Sequence, residues 1–310
     1  MDTLSLGPYT TSRIAYGCMT LGTLDDDVAV AGALDAALNG GVTLFDHADI
    51  YAGGRSEEVF GRYLAARPGV RDRLTLQTKC GIRFADDPEG APKRYDASYE
   101  HIVRSTEGSL RRLGVEHVEV LMLHRPDPLM EPEEVARAFS DLHAAGKVGA
   151  FGVSNFSVAQ IDRLSAALDR PLVCNQVQLS LAHLGPVEAG VTVDMPGQAT
   201  GADGLLDGCA TRGVRVQAWS PLAGGAFFQP DATAHATETA DVIAETARTH
   251  GADPLSVVLA WVLRLPHGVQ PVVGTTNPAR IEACCAAAGV ELSRAEWFAL
   301  YQAARGHRIP

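Results

Sequence analysis

Short apolar, β-prone runs alternate along the chain with segments of helical periodicity. The runs are 13–18, 43–48, 74–79, 118–124, 149–154, 173–179, 214–219 and 270–275. Several are apolar over most of their length, as parallel strands covered on both faces would be. The helical segments between them carry their own punctuation. Residues 26–39 open on acids and stop at Gly40-Gly41, and 56–67 open on Ser56-Glu57-Glu58, a cap followed by acids at the positive helix end. Residues 98–113 stop at Gly114, 132–145 run from Pro132 to Gly146, and 157–168 open on Ser157 and precede Pro171. Further helices are predicted at 203–211, 237–250, 254–263, 278–288 and 293–304. This rhythm predicts an α/β chain folded as one (β/α)8 TIM barrel domain over 1–310, with an extra C-terminal helix. A doubly wound sheet is the alternative, weakened because no GxGxxG loop follows the first run. Residues 181–203 lack clear periodicity. They follow the sixth run, on the face where barrel loops build sites, and are a candidate substrate loop.

Polar residues break the apolar runs at their C-terminal ends. Asp46 lies in TLFDHADIY with Tyr51 just beyond it, Lys79 ends LTLQTK, and His124 ends VEVLMLH. Burying such groups is costly unless they are paired or used. In a barrel these strand ends converge on one pocket, so residues far apart in sequence can meet. Their chemistry is complementary. Free tyrosine, with a pKa of about 10, is a poor acid near neutrality. A neighbouring Lys ammonium favours the phenolate and should lower that value, with an Asp holding the Lys charged and oriented. A His could hydrogen-bond a substrate oxygen or share in proton transfer. The set makes a general acid beside a carbonyl carbon. It contains no nucleophile–base pair of the hydrolase kind and no clustered His and Cys for a metal. Each residue alone has an ordinary explanation, such as a packing Tyr, a snorkelling Lys or a structural His. Their corresponding positions make the functional reading.

Composition narrows the classes further. Hydrophobic residues make up 46% and charged residues 20%, enough for a large core and unlike a disordered chain. A net charge of -11 argues against a nucleic-acid partner. No segment reaches the roughly 18 apolar residues of a membrane helix, and MDTLSLGPYTTSRIAYG lacks the basic start and apolar run of a signal peptide. The six cysteines are scattered without CxxC spacing, which predicts a reduced, cytoplasmic protein. Adjacent Cys284 and Cys285 read as helix packing.

On these residues the chain resembles the aldo-keto reductases. FDHADIY, QTKCG and LMLHRPD match that family's catalytic tetrad in residue type and order, with Asp46, Tyr51, Lys79 and His124. The resemblance continues in GVSNF (152–156), NQVQLS (175–180), AWSPLAGG (218–225) and VVGTTNPARIEA (272–283), and the C-terminal WFALYQAARGHRIP is similar to a YdhF-like bacterial branch. It implies a barrel that binds extended NADP(H) without a Rossmann domain. It implies that Tyr51 protonates a carbonyl oxygen, Lys79 and Asp46 tune Tyr51, and His124 orients the substrate. It places Ser154, Asn155 and Gln176 on the nicotinamide carboxamide, Trp219 on the ring, and Ser220, Pro221 and Leu222 along the pyrophosphate. Gly274, Thr275, Thr276, Asn277 and Arg280 would hold the adenosine end. Many relatives carry a Lys there. Here Arg280 alone brings charge, so NADP(H) is expected with NAD(H) as the alternative.

The substrate expected is a small carbonyl or alcohol, its identity set by loops. Met19, Thr20, Phe84, Phe227 and Phe228 are candidate pocket walls. Arg125 is read as a structural partner of a carboxylate such as Asp127, with a place near the pocket as the alternative, and the role of Gln178 is open. Two other classes compete with a carbonyl reductase: a cofactor-bound sensor or regulatory subunit of the same fold, and an unrelated barrel hydrolase or isomerase.

Overall fold

The computed structural model describes residues 1–192, 204–229, 234–266 and 268–310. The chain opens with an antiparallel hairpin, β1 (Thr3–Leu6) and β2 (Tyr9–Ser12). Eight parallel strands then close a barrel in the order β10-β11-β12-β3-β4-β5-β8-β9. They are β3 (Ala15–Gly17), β4 (Leu44–Asp46), β5 (Thr75–Cys80), β8 (Val118–Leu123), β9 (Val148–Ser154), β10 (Leu172–Gln178), β11 (Arg215–Trp219) and β12 (Gln270–Val273). Each falls within or close to one of the predicted apolar runs. A small hairpin, β6 (Ile82–Arg83) with β7 (Arg94–Tyr95), interrupts the loop after β5.

The helices are α1 (Asp27–Asn39), α2 (Arg55–Ala65), α3 (Tyr99–Leu113), α4 (Pro132–Ala144), α5 (Val158–Ser165), α6 (Gly185–Val191), α7 (Leu205–Thr211), α8 (Ala234–His250), α9 (Pro254–Leu263), α10 (Pro278–Ala286) and α11 (Arg294–Arg305). Ser157 caps α5 and Ser293 caps α11 through reciprocal capping boxes, which sets both starts. Two apolar layers result. Side chains such as Leu44, Val120, Met122 and Ala150 fill part of the barrel interior, and a larger cluster lies between strands and helices. The buried helix α9 carries Trp261, on which Trp297 of the terminal helix stacks with ring centroids 5.1 Å apart.

The N-terminal hairpin was not anticipated. Its two-residue connection, Gly7-Pro8, places Gly7 at φ +57, and a Cβ there would meet Val173 Cγ1 at 2.3 Å. Leu6 is fully buried against the interior cluster. The stretch 181–203 is also more ordered at its start than its lack of periodicity suggested. It forms α6, whose Glu188 accepts hydrogen bonds from Tyr301 and Arg305 of α11. The remainder of that candidate loop, 193–203, lies outside the described residues.

Candidate active site

Strand ends and one tight loop assemble the site. Asp46 is the last residue of β4, Lys79 is the penultimate residue of β5, and His124 follows β8. The intervening loop is pinned by backbone bonds from His47 N to Gln77 O (2.7 Å) and from Asp49 N to Lys79 O (3.0 Å). Beyond Tyr51 the chain passes through left-handed Ala52, Gly53 and Gly54, at φ 50, 66 and 96, and turns directly into α2. Two glycines make that reversal cheap, whereas Ala52 is in a conformation that non-glycine residues seldom adopt.

The four residues meet. Lys79 Nζ donates to Asp46 Oδ1 and Oδ2 at 2.7 and 2.6 Å, to His47 O at 3.0 Å and to Tyr51 OH at 3.1 Å. Lys79 is fully buried and Asp46 is 2% exposed. The Tyr51 and His124 rings stand edge to face, 5.8 Å apart. An ammonium only donates, so the Tyr51 oxygen accepts from Lys79 and its own proton is free for another acceptor.

Burial works against the Lys79 charge, but Asp46 and Tyr51 outweigh it and hold the ammonium above its ordinary pKa. For Tyr51, burial is the largest influence and raises the phenol. Lys79 pulls it down, Asp46 pushes it up, and the net shift is upward. The expected net lowering is therefore corrected: the Lys79 contribution has the anticipated sign, and desolvation exceeds it. Burial, then Lys79 and Arg125, depress His124 to about 2, so its imidazole is neutral. It therefore offers a neutral N–H or a lone pair rather than a charge. His47 is likewise pushed to about 3 by burial and Lys79, and both of its ring nitrogens lack a hydrogen-bond partner among the described residues.

Behind the loop, Asp49 is half-buried against α3. Ser105 donates to its Oδ2, and its Oδ1 has no hydrogen-bond partner among the described residues. Glu57, fully buried nearby, accepts from Thr78 (2.6 Å) and Arg112 (2.8 Å). Burial, opposed by the Ser105 bond, raises Asp49 to about 7. A carboxyl raised on folding favours the native state while protonated, and that advantage declines as pH rises from about 4 through about 7. Asp49→Asn is accordingly expected to favour the native state more at pH 8 than at pH 5, by on the order of 2 kcal/mol. Urea unfolding at the two pH values checks this.

The cluster of Asp46, Tyr51 and His124 opens into a cavity of about 1060 Å³. Its walls include Tyr51, His124, Ser154, Asn155, Gln176, Trp219, Ser220, Pro221, Leu222, Gly274, Thr275 and Arg280. Larger ranges of sequence are thus joined in one trough. Thr276 and Asn277 are outside its wall, and Asn277 instead caps α10 by accepting from Arg280 N. Met19, Thr20 and Phe228 line it, whereas Phe227 is buried and Phe84 lies elsewhere, exposed beside β6. Sequence reasoning missed the Asp253-Pro254-Leu255 helix start, which also lines the cavity. The Asp-Pro punctuation of α9 was visible, but not its direction toward the site.

Asn155 has a left-handed backbone, φ 63, and its amide is partly committed to the protein. Its Oδ1 accepts from Trp219 Nε1 at 3.0 Å, and its Nδ2 donates to Ser154 Oγ at 2.8 Å. Trp219 is thereby held in orientation. Gln176 spends an amide N–H on Gln217, which leaves its carbonyl oxygen as the acceptor on the cavity side. Arg125 does not pair with Asp127. It lines the cavity with its guanidinium carbon 5.9 Å from the Trp219 ring centre, and Asp127 instead accepts from the Ala97 and Leu129 amides. The two side chains serve different loops.

Comparison with known proteins agrees with this geometry. Residues 13–305 match the model of the aldo/keto reductase family. The chain is 38% identical over 277 residues to oxidoreductase YdhF of Escherichia coli, covering 89% of this chain and 88% of that protein. It is 37% identical over 303 residues to a 6-dehydroglucose reductase of Agrobacterium fabrum, covering 96% of each. The solved glycerol dehydrogenase of Gluconobacter oxydans superposes with a TM-score of 0.82 at 26% identity, covering 99% of this chain and 96% of that one.

Proposed function

The chain belongs to the aldo/keto reductase family, and from that premise we propose that it is an NADP(H)-dependent oxidoreductase that reduces an aldehyde or ketone to an alcohol, or runs the reverse, with Tyr51 as general acid. The observation that carries this reading is the Asp46–Lys79–Tyr51 chain of contacts, running from a buried ion pair to a half-buried hydroxyl and opening, beside His124, into a large cavity.

The cavity residues fit a dinucleotide. Gln176 presents an acceptor to a carboxamide, Trp219 presents an oriented ring, and Arg280 at the start of α10 suits a phosphate. The nicotinamide, when bound, supplies or accepts the hydride. The protein's own part is proton management. Tyr51 keeps its proton at neutral pH because burial holds the phenol up, and directs it at a carbonyl oxygen in the cavity. Lys79 stabilises the oxygen as that proton leaves, and Asp46 keeps Lys79 charged and in place. Neutral His124 orients the substrate oxygen without adding a competing acid. The six free cysteines suit a reducing cytoplasm.

Purified protein should consume NADPH with members of a panel of aldehydes, ketones and sugars that includes 6-dehydroglucose, and should reduce the oxidised cofactor with members of a panel of alcohols that includes glycerol. Absence of turnover with every carbonyl and either cofactor would overturn the proposal. Cofactor preference has a separate test. Arg280→Ala is expected to raise the KM for NADPH by about tenfold or more and to leave NADH within about twofold, because only the former carries the 2′-phosphate. Equal effects on both cofactors would remove Arg280 from that role.

A further inference from the structure

Beneath the four strand-end residues lies a layer of buried glutamines. Gln77 stands in register with Asp46, Gln217 with Gln176, and Gln270 with Gln217. Strands β5 and β11, which carry Gln77 and Gln217, are opposite one another in the closed barrel. The contact between these two side chains therefore crosses the barrel interior. Such interiors are ordinarily filled by branched apolar side chains. Four buried amides there would be costly unless each found partners.

They find each other, and one reaches the reacting cluster. Gln77 Nε2 donates to Asp46 Oδ1 at 2.5 Å and to Gln217 Oε1 at 2.9 Å. Gln217 Oε1 also accepts from Gln176 Nε2 at 3.1 Å. In return Gln217 Nε2 donates to Gln77 Oε1 at 3.1 Å and to Gln270 Oε1 at 3.0 Å. Gln270 is anchored at the barrel floor, donating to Thr11 Oγ1 at 3.2 Å and Ser12 O at 2.7 Å.

We infer that Gln77 and Gln217 are positioning residues that tie the Asp46 carboxylate to the Gln176 amide across the barrel interior. Gln77 holds the same Asp46 oxygen that Lys79 contacts at 2.7 Å, so it sets the rotation of the carboxylate and the seat of the ammonium that reaches Tyr51. Gln217 accepts one of the two amide N–H bonds of Gln176 and so fixes the rotation of that amide at the cavity wall. No single amide can flip without breaking bonds at its neighbours, which couples the proton-donating end of the site to the end that would receive a carboxamide. This inference rests on the reading of Tyr51 as the acid and of Gln176 as a cofactor contact.

The test compares Gln77→Met and Gln217→Met, which keep bulk but cannot donate, with Thr11→Val, an equally buried change at the floor of the same network. Turnover, the pH profile of alcohol oxidation, NADPH affinity by fluorescence and melting temperature are measured for each. Gln77→Met should lower kcat about tenfold. It should also move the alkaline limb of oxidation upward by about half a pH unit, because Lys79 then lowers the Tyr51 phenol less. Gln217→Met should weaken NADPH binding about fivefold. Thr11→Val should lower the melting temperature alone. The inference is overturned if the two glutamine variants, like Thr11→Val, lose only stability. Should Gln77→Met not fold, an unchanged NADPH affinity in Gln217→Met overturns it by itself. Tyr51→Phe is run in parallel. If Tyr51→Phe retains turnover, the acid reading fails. If Tyr51→Phe is inactive while both glutamine variants behave as parent, only the positioning roles fail.

Discussion

Tyr51→Phe is expected to lower kcat for carbonyl reduction by about three orders of magnitude while leaving NADPH affinity within about twofold. The substitution keeps the ring that packs edge to face on His124 at 5.8 Å and under the Lys79 ammonium at 5.0 Å. It removes one hydroxyl. Lys79 then loses the acceptor at 3.1 Å but retains both Asp46 oxygens and the His47 carbonyl. The stability cost should therefore be only about 1 kcal/mol, and the loss of rate cannot be a folding defect. Steady-state kinetics with a reactive aldehyde, fluorescence titration of NADPH and a melting curve separate the effects. Turnover near the parental rate would remove Tyr51 from the acid role. The parent enzyme has a matching pH signature. The Tyr51 phenol is raised from 10.0, so reduction should hold steady through neutral pH and decline only above about 10, where the proton is lost. Oxidation needs the phenolate and should rise with pH over the same range. His124, depressed to about 2, should add no inflection near neutrality.

Lys79→Met has the second large expected effect, on both stability and turnover. Lys79 and Asp46 are 0% and 2% exposed, so the pair is desolvated. Removing the cation leaves the carboxylate buried with Gln77 as its remaining side-chain donor among the described residues. Breaking such a pair costs about 3–5 kcal/mol, and kcat should fall by at least about a hundredfold because the tyrosine oxygen loses its stabilising charge. Urea unfolding measures the first quantity and initial rates the second. Adding Asp46→Asn to Lys79→Met should recover part of the stability by removing the unpaired charge, yet recover no turnover. Recovery of both would mean that the pair serves the fold alone. The sign with pH is also set. Lys79 is raised on folding, so its contribution is complete below the unfolded value of 10.5 and is lost only as pH climbs through the higher folded value. The pair should thus be insensitive to pH across the neutral range.

Both variants concern residues that sequence could find because covalent order places them. Near-continuous apolar runs and a fixed strand–helix rhythm put Asp46, Lys79 and His124 at the ends of parallel strands, and closure of the barrel brings those ends together. The cavity wall was legible for the same reason, since Ser154, Gln176, Trp219 and Gly274 sit at or beyond the ends of later strands. What escaped were features that depend on distance through space. Asp253 enters the cavity wall from the start of α9, and the choice for Arg125 between Asp127 and the pocket falls to the cavity, near Trp219. The N-terminal hairpin escaped because its strands, TLSL and YTTS, are largely polar and carry no apolar run. The start of 181–203 escaped because α6 is a short helix tied down through Glu188 to a helix more than a hundred residues away, and a short helix bears little periodicity.

The chain's own order of apolar and polar residues determined the barrel, the identity of the four clustered side chains and the sign of each pairwise influence among them. Tertiary structure decided the balance of those influences. Whether Tyr51 sits below or above its ordinary pKa depends on burial weighed against a single ammonium contact, and burial has no signature in local sequence. It also decided that Gln77, unremarkable within LTLQTK, lies across the barrel from Gln217 and touches Asp46. Desolvation and cross-barrel contact are sums over neighbours that only the closed fold supplies.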